Sequence, residues 1–237
     1  MKAPLSPTAL AALIEHQILR PEASRSEVEK ACGEARTYGF RSVCVYGSRV
    51  SFVAALLDES AVKVATVVGF PLGAMDADAK RFETEVAVDN GAQEINVLLN
   101  IGSLKDGDDA AVLRELRDIV EAADERPVGV ILEVPLLTHP EVCRACDVST
   151  EAGAKSVIAS RGFNSGAPTT EDIKMLRELV SASFGVVAAG KIEASTALAL
   201  IEAGASRLGT PEGVVILRRI NESGGGLLPD GRGSDAL

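Results

Sequence analysis

The sequence predicts a (β/α)8 barrel in a single domain, and three observations predict it. Eight short apolar runs are spaced evenly along the chain, amphipathic stretches of helical length separate them, and several of these stretches end in a Gly-Ala pair. Eight strand–helix units over about 220 residues fit the usual size of this fold. A doubly wound sheet is the alternative, but no Gly-x-Gly-x-x-Gly follows the first run, and the even spacing favours the barrel.

The eight apolar runs are predicted to be parallel strands buried on both faces, because they are short and almost continuously apolar. In chain order they are 13–18, 42–45, 63–68, 94–98, 128–133, 156–159, 184–188 and 206–208. A glycine closes the helix that precedes a strand at three places. These are Gly91-Ala92, Gly153-Ala154 and Gly204-Ala205.

Helix starts are marked by capping residues. Ser24 and Glu27 form a capping-box pattern, a second helix is predicted after Thr169 and Thr170, and a third is predicted with Pro211 in its first turn. The barrel domain is predicted over residues 1–222, and the glycine-rich segment 223–237 is predicted to be a disordered tail.

Composition excludes several classes of function. The chain has 24 Lys and Arg against 34 Asp and Glu, a net charge of −10, and only 3% aromatic residues, which disfavours nucleic-acid binding. No apolar run approaches the length of roughly 20 residues that spans a membrane, and no signal-peptide pattern is present. We therefore expect a cytoplasmic protein with a small-molecule substrate, no nucleic-acid partner and no membrane association.

The four cysteines do not indicate a metal or redox site. Cys143 and Cys146 have Cys-x-x-Cys spacing, but Cys32 and Cys44 do not form a second pair, and the motif lies inside a predicted helix. We interpret the pair as small side chains packed on that helix. No His-Glu-x-x-His motif or other ligand cluster is present, so we expect no metal and no cofactor.

Several strings resemble 2-deoxyribose-5-phosphate aldolase, in order from about residue 8 to 220. They are Ile14-Glu-His-Gln-Ile-Leu-Arg-Pro21, Ser42-Val-Cys-Val45, Thr66-Val-Val-Gly-Phe-Pro-Leu-Gly73, Asn100-Ile-Gly-Ser-Leu-Lys-Asp-Gly107, Glu133 with Leu136-Leu-Thr138, Arg161-Gly-Phe163 running to Glu171-Asp172, and Gly204-Ala-Ser-Arg-Leu-Gly-Thr210. The resemblance implies the barrel fold, a homodimer, and class I aldol chemistry, in which a strand lysine forms a Schiff base with the substrate carbonyl.

The chain departs from the family pattern at three positions in the barrel. The resemblance places the family's Schiff-base lysine at Ile158, its activating lysine at Val187 and its proton-relay aspartate at Asn96. Isoleucine has no amine, so a Schiff base cannot form at that position. The sequence therefore predicts a chain without the usual aldolase centre.

The loop that binds phosphate in the family also differs. Pro211 removes a backbone N–H donor, and Glu212 places a carboxylate in the first helical turn, where it repels phosphate. Lys191 follows Gly190, where the family has a second glycine, and an ion pair between Lys191 and Glu212 is plausible across the mouth. We therefore expect a substrate without a phosphate.

The candidate site residues lie at strand ends. The catalytic candidates are Glu133, Asn96 and Lys191, with Glu133 as an acid–base whose pKa is raised or which pairs with Arg20 or Arg161. A structural role for Glu133, satisfying backbone donors, is equally open. The predicted substrate-binding residues are Glu15, Gln17, Arg20, Cys44, Tyr46, Ile158, Ser160, Arg161, Val187 and Glu212. His16 is expected to face a helix, and His139 the surface.

Three functional hypotheses follow. The preferred one is a repurposed lyase, isomerase or cyclase that uses non-covalent acid–base catalysis by Glu133 on a non-phosphorylated substrate. The second is an aldolase that uses Lys191 as a relocated Schiff-base lysine. The third is a non-catalytic homologue that serves as a binding or partner subunit.

Overall fold

Eight parallel strands form the centre of the molecule. The structure, a computed structural model, describes residues 5–224 of the 237. The strands are β1 Ile14–Ile18, β2 Ser42–Val45, β3 Lys63–Val68, β4 Glu94–Leu98, β5 Val128–Glu133, β6 Ser156–Ser160, β7 Gly185–Ala189 and β8 Arg207–Thr210. All eight predicted strands are confirmed, with ends that differ from the prediction by two residues at most.

The strands close into a barrel in sequence order. Each strand pairs in parallel with the next one along the chain, and β8 pairs with β1 through the registers Ile14 with Leu208 and His16 with Thr210. The predicted (β/α)8 fold is therefore confirmed. Because all the strands run the same way, their carboxyl ends meet at one mouth, where barrel enzymes place their sites.

Ten α-helices are described, and most of them cover the outside of the barrel. They are α1 Pro7–Ala11, α2 Arg25–Tyr38, α3 Val50–Leu56, α4 Ala77–Asp89, α5 Ile101–Lys105, α6 Asp109–Ala122, α7 His139–Glu151, α8 Thr170–Leu179, α9 Ala194–Glu202 and α10 Gly213–Gly224. None of the described helices is both long and apolar enough to cross a membrane.

The predicted helix caps at the starts of α2 and α8 are present. Ser24 and Glu27 form the full capping box at the start of α2, and Thr169 forms one with Asp172 before α8. The glycines of the three Gly-Ala pairs all have positive φ, between 90° and 115°, which closes the preceding helix as expected.

The predicted start of the last helix is wrong by two residues. Helix α10 begins at Gly213, because the Glu212 amide donates to the Thr210 hydroxyl at 3.1 Å and the Glu212 carbonyl accepts the first helical bond, from Ile216. Pro211 therefore lies in the turn before the helix. The helix also extends past the predicted domain boundary at residue 222, and residues 225–237 of the predicted tail lie outside the described residues.

Two apolar cores lie on either side of the strands. The larger core fills the space between the barrel and its helices. The smaller core fills the barrel itself and consists of Cys44, Ala65, Val67, Leu98, Ile131, Ile158, Val187 and Ala189. We call these eight residues the inner core. They point inward because side chains alternate along a strand, so every second residue faces the barrel axis.

An ion-pair network occupies the amino-terminal end of the barrel. Glu94, the first residue of β4, accepts from Arg41 at 2.6 Å and from Arg207, the first residue of β8, at 2.7 Å. Arg207 also donates to the Ser156 hydroxyl at 3.3 Å. The buried carboxylate thus has two cationic partners, which offsets the cost of removing its charge from water.

A second buried ion pair joins two helices outside the barrel. Lys80 of α4 is fully buried, and its Nζ donates to the Glu115 carboxylate of α6 at 2.7 Å and to the Leu98 carbonyl at 2.9 Å. Burial lowers the pKa of Lys80, and the Glu115 charge opposes this shift. Because Leu98 ends β4, the pair ties both helices to the mouth end of the barrel.

We expect Glu115→Ala to lower the free energy of unfolding by about 3–5 kcal/mol, because it leaves the Lys80 ammonium buried without a counter-charge. Urea unfolding at pH 7 measures the loss. Glu121→Ala, at an exposed position on the same helix, is the control and should change stability by less than about 0.5 kcal/mol. Equal losses in the two variants would contradict this account. The double variant Lys80→Met/Glu115→Leu should recover most of the stability, since it removes both charges.

Candidate active site

A cavity of about 670 Å³ opens at the carboxyl ends of the strands. Its floor is formed by the inner-core residues Val67, Ile131, Ile158 and Ala189. Its walls come from the loop that follows β6, from the loops after β7 and β8, and from one face of α2. A cavity of this size and composition suits a small molecule.

A buried polar network lies inside the barrel beside the inner core. Glu15 of β1 is almost fully buried, and both of its carboxylate oxygens accept from Asn96 Nδ2 of β4, at 3.1 and 3.3 Å. The Gln17 amide donates to the same carboxylate at 2.9 Å. The amide at position 96 thus donates hydrogen bonds to Glu15. A carboxylate at that position could donate only if it were protonated.

Cys44 is packed against this network and is unreactive there. Its Sγ lies 3.9 Å from Asn96 Nδ2. Burial raises the pKa of the Cys44 thiol well above its usual range, and the nearby Glu15 charge raises it further. Cys44 was a predicted substrate-binding residue, but it does not line the cavity.

Lys191 lies at the rim of the cavity. It follows Gly190 directly after β7, its side chain is exposed, and it has no hydrogen-bond or ion-pair partner among the described residues. Glu212 lines the cavity from the next strand, but it does not lie within 4.0 Å of the Lys191 amine. The two side chains therefore do not form the ion pair that the sequence left open.

Glu133 lies beside the cavity rather than in it. A Cβ atom on Gly162, which lines the cavity, would sit 3.0 Å from Glu133 Oε1, so the carboxylate packs against that loop. Burial raises the pKa of Glu133, as expected. The alternative expectation, an ion pair with Arg20 or Arg161, is wrong.

Both arginines are bound elsewhere. Arg20 lines the cavity, but its guanidinium pairs with Glu22 at 2.9 Å and with Glu27 at the start of α2. Arg161 does not line the cavity, and it pairs with Asp172 at 3.5 Å. Each arginine therefore holds a helix start in place.

The cavity contains seven of the predicted site residues. Those that line it are Gln17, Arg20, Asn96, Ile158, Ser160, Lys191 and Glu212. Those that do not are Glu15, Cys44, Tyr46, Glu133, Arg161 and Val187, of which Glu15, Cys44 and Val187 are buried within the barrel. The sequence thus places side chains on the correct strands but does not separate the cavity wall from the layer behind it.

Other lining residues were missed as functional candidates. They include Lys30 and Glu34 of α2, Phe70 after β3, and Phe163, Asn164, Ser165 and Gly166 after β6. Phe70 and Phe163 stand directly after strands, and this position is a signal that could have identified them. Lys30 and Glu34 carry no such signal, because they belong to the body of a helix.

The histidines and Cys146 lie where the sequence predicts, with His16 also lining the cavity, whereas Cys143 is only half-buried. His16 faces α2, where its Nε2 lies 3.3 Å from a Glu34 oxygen, and His139 is exposed at the start of α7. The Cys146 side chain of α7 is buried, and burial raises the pKa of its thiol to about 12. Among residues 5–224, no group of three or more His, Cys, Asp or Glu side chains could hold a metal ion.

The closed barrel has a cavity of small-molecule size at its carboxyl mouth, and this arrangement is typical of (β/α)8 enzymes. The model of the DeoC/LacD family aldolases matches residues 10–223, and the chain belongs to that family.

Individual relatives agree with this assignment. A deoxyribose-phosphate aldolase from Alkaliphilus oremlandii is 46% identical over 210 residues, which cover 88% of this chain and 95% of the relative. A Coccidioides immitis structure, provisionally assigned as a deoxyribose-phosphate aldolase, superposes with a TM-score of 0.89 at 32% identity and covers 93% of this chain and 88% of its own. The tetrameric deoxyribose-phosphate aldolase from Aeropyrum pernix has a TM-score of 0.85 at 29% identity, covering 92% and 93% of the two chains.

These relatives overturn the preferred functional hypothesis. Eight relatives that are 44–47% identical over about nine-tenths of this chain are all named as deoxyribose-phosphate aldolases. The hypothesis of a repurposed enzyme that is not an aldolase is therefore wrong. The hypotheses of a non-catalytic subunit and of a non-phosphorylated substrate lose their support for the same reason. That Ile158 and Val187 replace family lysines stays a prediction.

We expect Asn96→Asp to destabilise the fold by about 3 kcal/mol at pH 8, because it sets a second carboxylate 3.1 Å from Glu15 inside the barrel. The folded state then binds a proton more tightly than the unfolded state does. Stability should therefore rise as the pH falls, and the loss should shrink at pH 5. Urea unfolding at the two pH values measures this.

Asn100→Asp is the matched control, since Asn100 caps α5 through a bond from the Ser103 amide and an aspartate caps equally well. It should be neutral or stabilising at pH 8. An Asn96→Asp loss that does not depend on pH would contradict the proposed carboxylate pair.

Proposed function

We propose that this chain is an aldolase that breaks or forms a carbon–carbon bond in a small aldehyde at the mouth of the barrel. The observation that carries the proposal is 46% identity, over 88% of the chain, to a relative named deoxyribose-phosphate aldolase. The cavity at the carboxyl mouth supports it, because it supplies an amine and a carboxylate to a substrate of that size. We take 2-deoxyribose 5-phosphate, the substrate class in the relatives' names, as the first test substrate.

Lys191 is the amine that we assign to the reaction. Two described lysines line the cavity, Lys30 and Lys191. Lys30 extends from α2 with its Nζ 3.8 Å from a Glu34 oxygen, whereas Lys191 has no partner among the described residues. Lys80 is fully buried against Glu115 and does not line the cavity. Lys191 is thus the lining lysine that is free to meet a carbonyl group.

The proposed aldol reaction follows from the position of the Lys191 amine at the rim of the cavity. The unprotonated Lys191 amine adds to the aldehyde carbon, and loss of water gives an iminium ion, which draws electrons from the neighbouring carbon–carbon bond. Removal of the proton from the β-hydroxyl then breaks that bond and leaves an enamine and a second aldehyde. Protonation of the enamine carbon and addition of water release acetaldehyde and restore the amine.

Glu212 is the carboxylate that we assign to the hydroxyl proton. It lines the cavity from the loop after β8, the strand next to the one that Lys191 follows. The other lining carboxylates are engaged, because Glu27 bonds to Ser24 and Arg20 and Glu34 bonds to His16. Asn96, a predicted catalytic residue, donates its amide protons to Glu15 and orients that carboxylate.

We further propose that the chain forms a homodimer, as the family resemblance implies, and that it works in the cytoplasm. The tetrameric relative from Aeropyrum pernix supports self-association. Light scattering of the purified chain at micromolar concentration tests the dimer, and a monomer mass would contradict it.

We expect the purified chain to release acetaldehyde from 2-deoxyribose 5-phosphate, and Lys191→Ala to lower kcat/KM at least about a hundredfold, because the nucleophile is lost. A coupled alcohol dehydrogenase assay measures this release. Borohydride reduction in the presence of acetaldehyde should attach one ethyl group to Lys191, which peptide mass spectrometry locates.

The control is Lys174→Ala, which removes an exposed lysine of α8 that does not line the cavity. It should keep full activity and full labelling. No acetaldehyde from the unaltered chain would overturn the aldolase, whereas a Lys191→Ala variant that keeps its activity and is labelled at another lysine would overturn only the role of Lys191.

A further inference from the structure

Three aromatic rings form a row at the mouth, from the loops after β2 and β3 to the loop after β6. The chain has only six phenylalanines, two tyrosines and no tryptophan, yet three of these eight rings meet here. The rings belong to Tyr46 after β2, Phe70 after β3 and Phe163 after β6. We call these three residues the aromatic row.

The rings of the row support one another. The centroids of Tyr46 and Phe70 are 5.9 Å apart at an interplanar angle of 59°, and those of Phe70 and Phe163 are 5.6 Å apart at 88°. Tilted and edge-on contacts at these separations are favourable for aromatic pairs. The half-buried Phe70 therefore holds Phe163 in place, although Phe163 extends from a loop and is 37% exposed.

The row continues the apolar floor of the cavity upward to solvent. Phe70 and Tyr46 pack against the inner core, and Phe70 and Phe163 line the cavity above Val67 and Ile158. Apolar side chains are thus present from the barrel interior to the rim. An exposed aromatic ring next to an apolar cavity provides a binding surface for an apolar group.

The ionisable groups of the cavity come from other elements. Glu27, Lys30 and Glu34 extend from α2, while Lys191 and Glu212 follow β7 and β8. A ligand in this cavity therefore meets charged groups from α2 and from the loops after β7 and β8, and aromatic rings from the loops after β3 and β6. A molecule with a polar head and an apolar tail matches that division, since its tail leaves water and its head keeps polar partners.

We propose that the cavity binds aldehydes with an apolar tail, such as a single phenyl ring on a short alkyl chain, with the tail against Phe70 and Phe163. The orientation of the aldehyde group towards Lys191 rests on the proposed aldolase function. The aromatic row thereby selects the aldehyde that is added or released in the reaction. The tail-binding site itself depends only on the geometry of the row and the inner core.

The first experiment measures binding without chemistry. The probe is 3-phenylpropan-1-ol, which has the tail but no carbonyl group and therefore cannot form a Schiff base. We expect saturable binding by titration calorimetry, a dissociation constant about five- to tenfold higher for Phe163→Ala, and partial recovery in Phe163→Leu. Phe82→Ala, a phenylalanine of α4 that is 62% exposed and does not line the cavity, is the matched control and should bind normally.

The second experiment measures specificity in the reaction. Addition of acetaldehyde to 3-phenylpropanal is compared with addition to glyceraldehyde 3-phosphate, and Phe163→Ala should lower the ratio of the two kcat/KM values about fivefold. Phe82→Ala should leave the ratio unchanged.

The two experiments separate the two proposals. Binding of the alcohol that depends on Phe163, in a chain without aldol activity, supports the tail-binding site and overturns the aldolase. Aldol activity on 2-deoxyribose 5-phosphate without saturable binding of the alcohol overturns the tail-binding site. Equal effects of Phe163→Ala and Phe82→Ala also overturn it.

Discussion

The alternation of side chains along the eight strands of the closed barrel decides which residues fill its interior. Every second residue must face the axis, so each strand contributes to successive layers between the two ends of the barrel. The layer at the amino-terminal end holds Glu94 with its two arginines, and the next layer holds Glu15 and Asn96 beside aliphatic side chains, of which several form the cavity floor together with Asn96. The same constraint that packs the interior therefore decides which side chains reach a substrate.

Buried ionisable groups have ion-pair or hydrogen-bond partners in the interior, whereas a charged group at the mouth has none within residues 5–224. Glu94 meets two guanidinium groups, Glu15 meets two amides, and Lys80 meets Glu115, because a buried charge without a partner costs several kcal/mol. At the rim, by contrast, Lys191 is without a partner among the described residues. Solvent makes that arrangement inexpensive there, and it leaves an amine available for chemistry.

The sequence predicted the barrel well because strand length, apolar continuity and glycine stops are local properties. It predicted the site less well because loops decide which strand-end side chains reach the cavity. Arg20 turns back to α2, and Glu133 packs against Gly162 instead of entering the cavity. The functional hypothesis was wrong for a different reason. It gave three inward positions, 96, 158 and 187, more weight than the likeness that extends along the whole barrel.

The Glu94 network also has a kinetic consequence. Because Glu94 and its two arginines occupy the amino-terminal end, the cavity opens at the carboxyl end of the barrel. In the proposed reaction, cleavage of one carbon chain yields two pieces, and the piece joined to Lys191 stays until water releases it. The other piece therefore leaves the cavity first, and the two products are released in a fixed order.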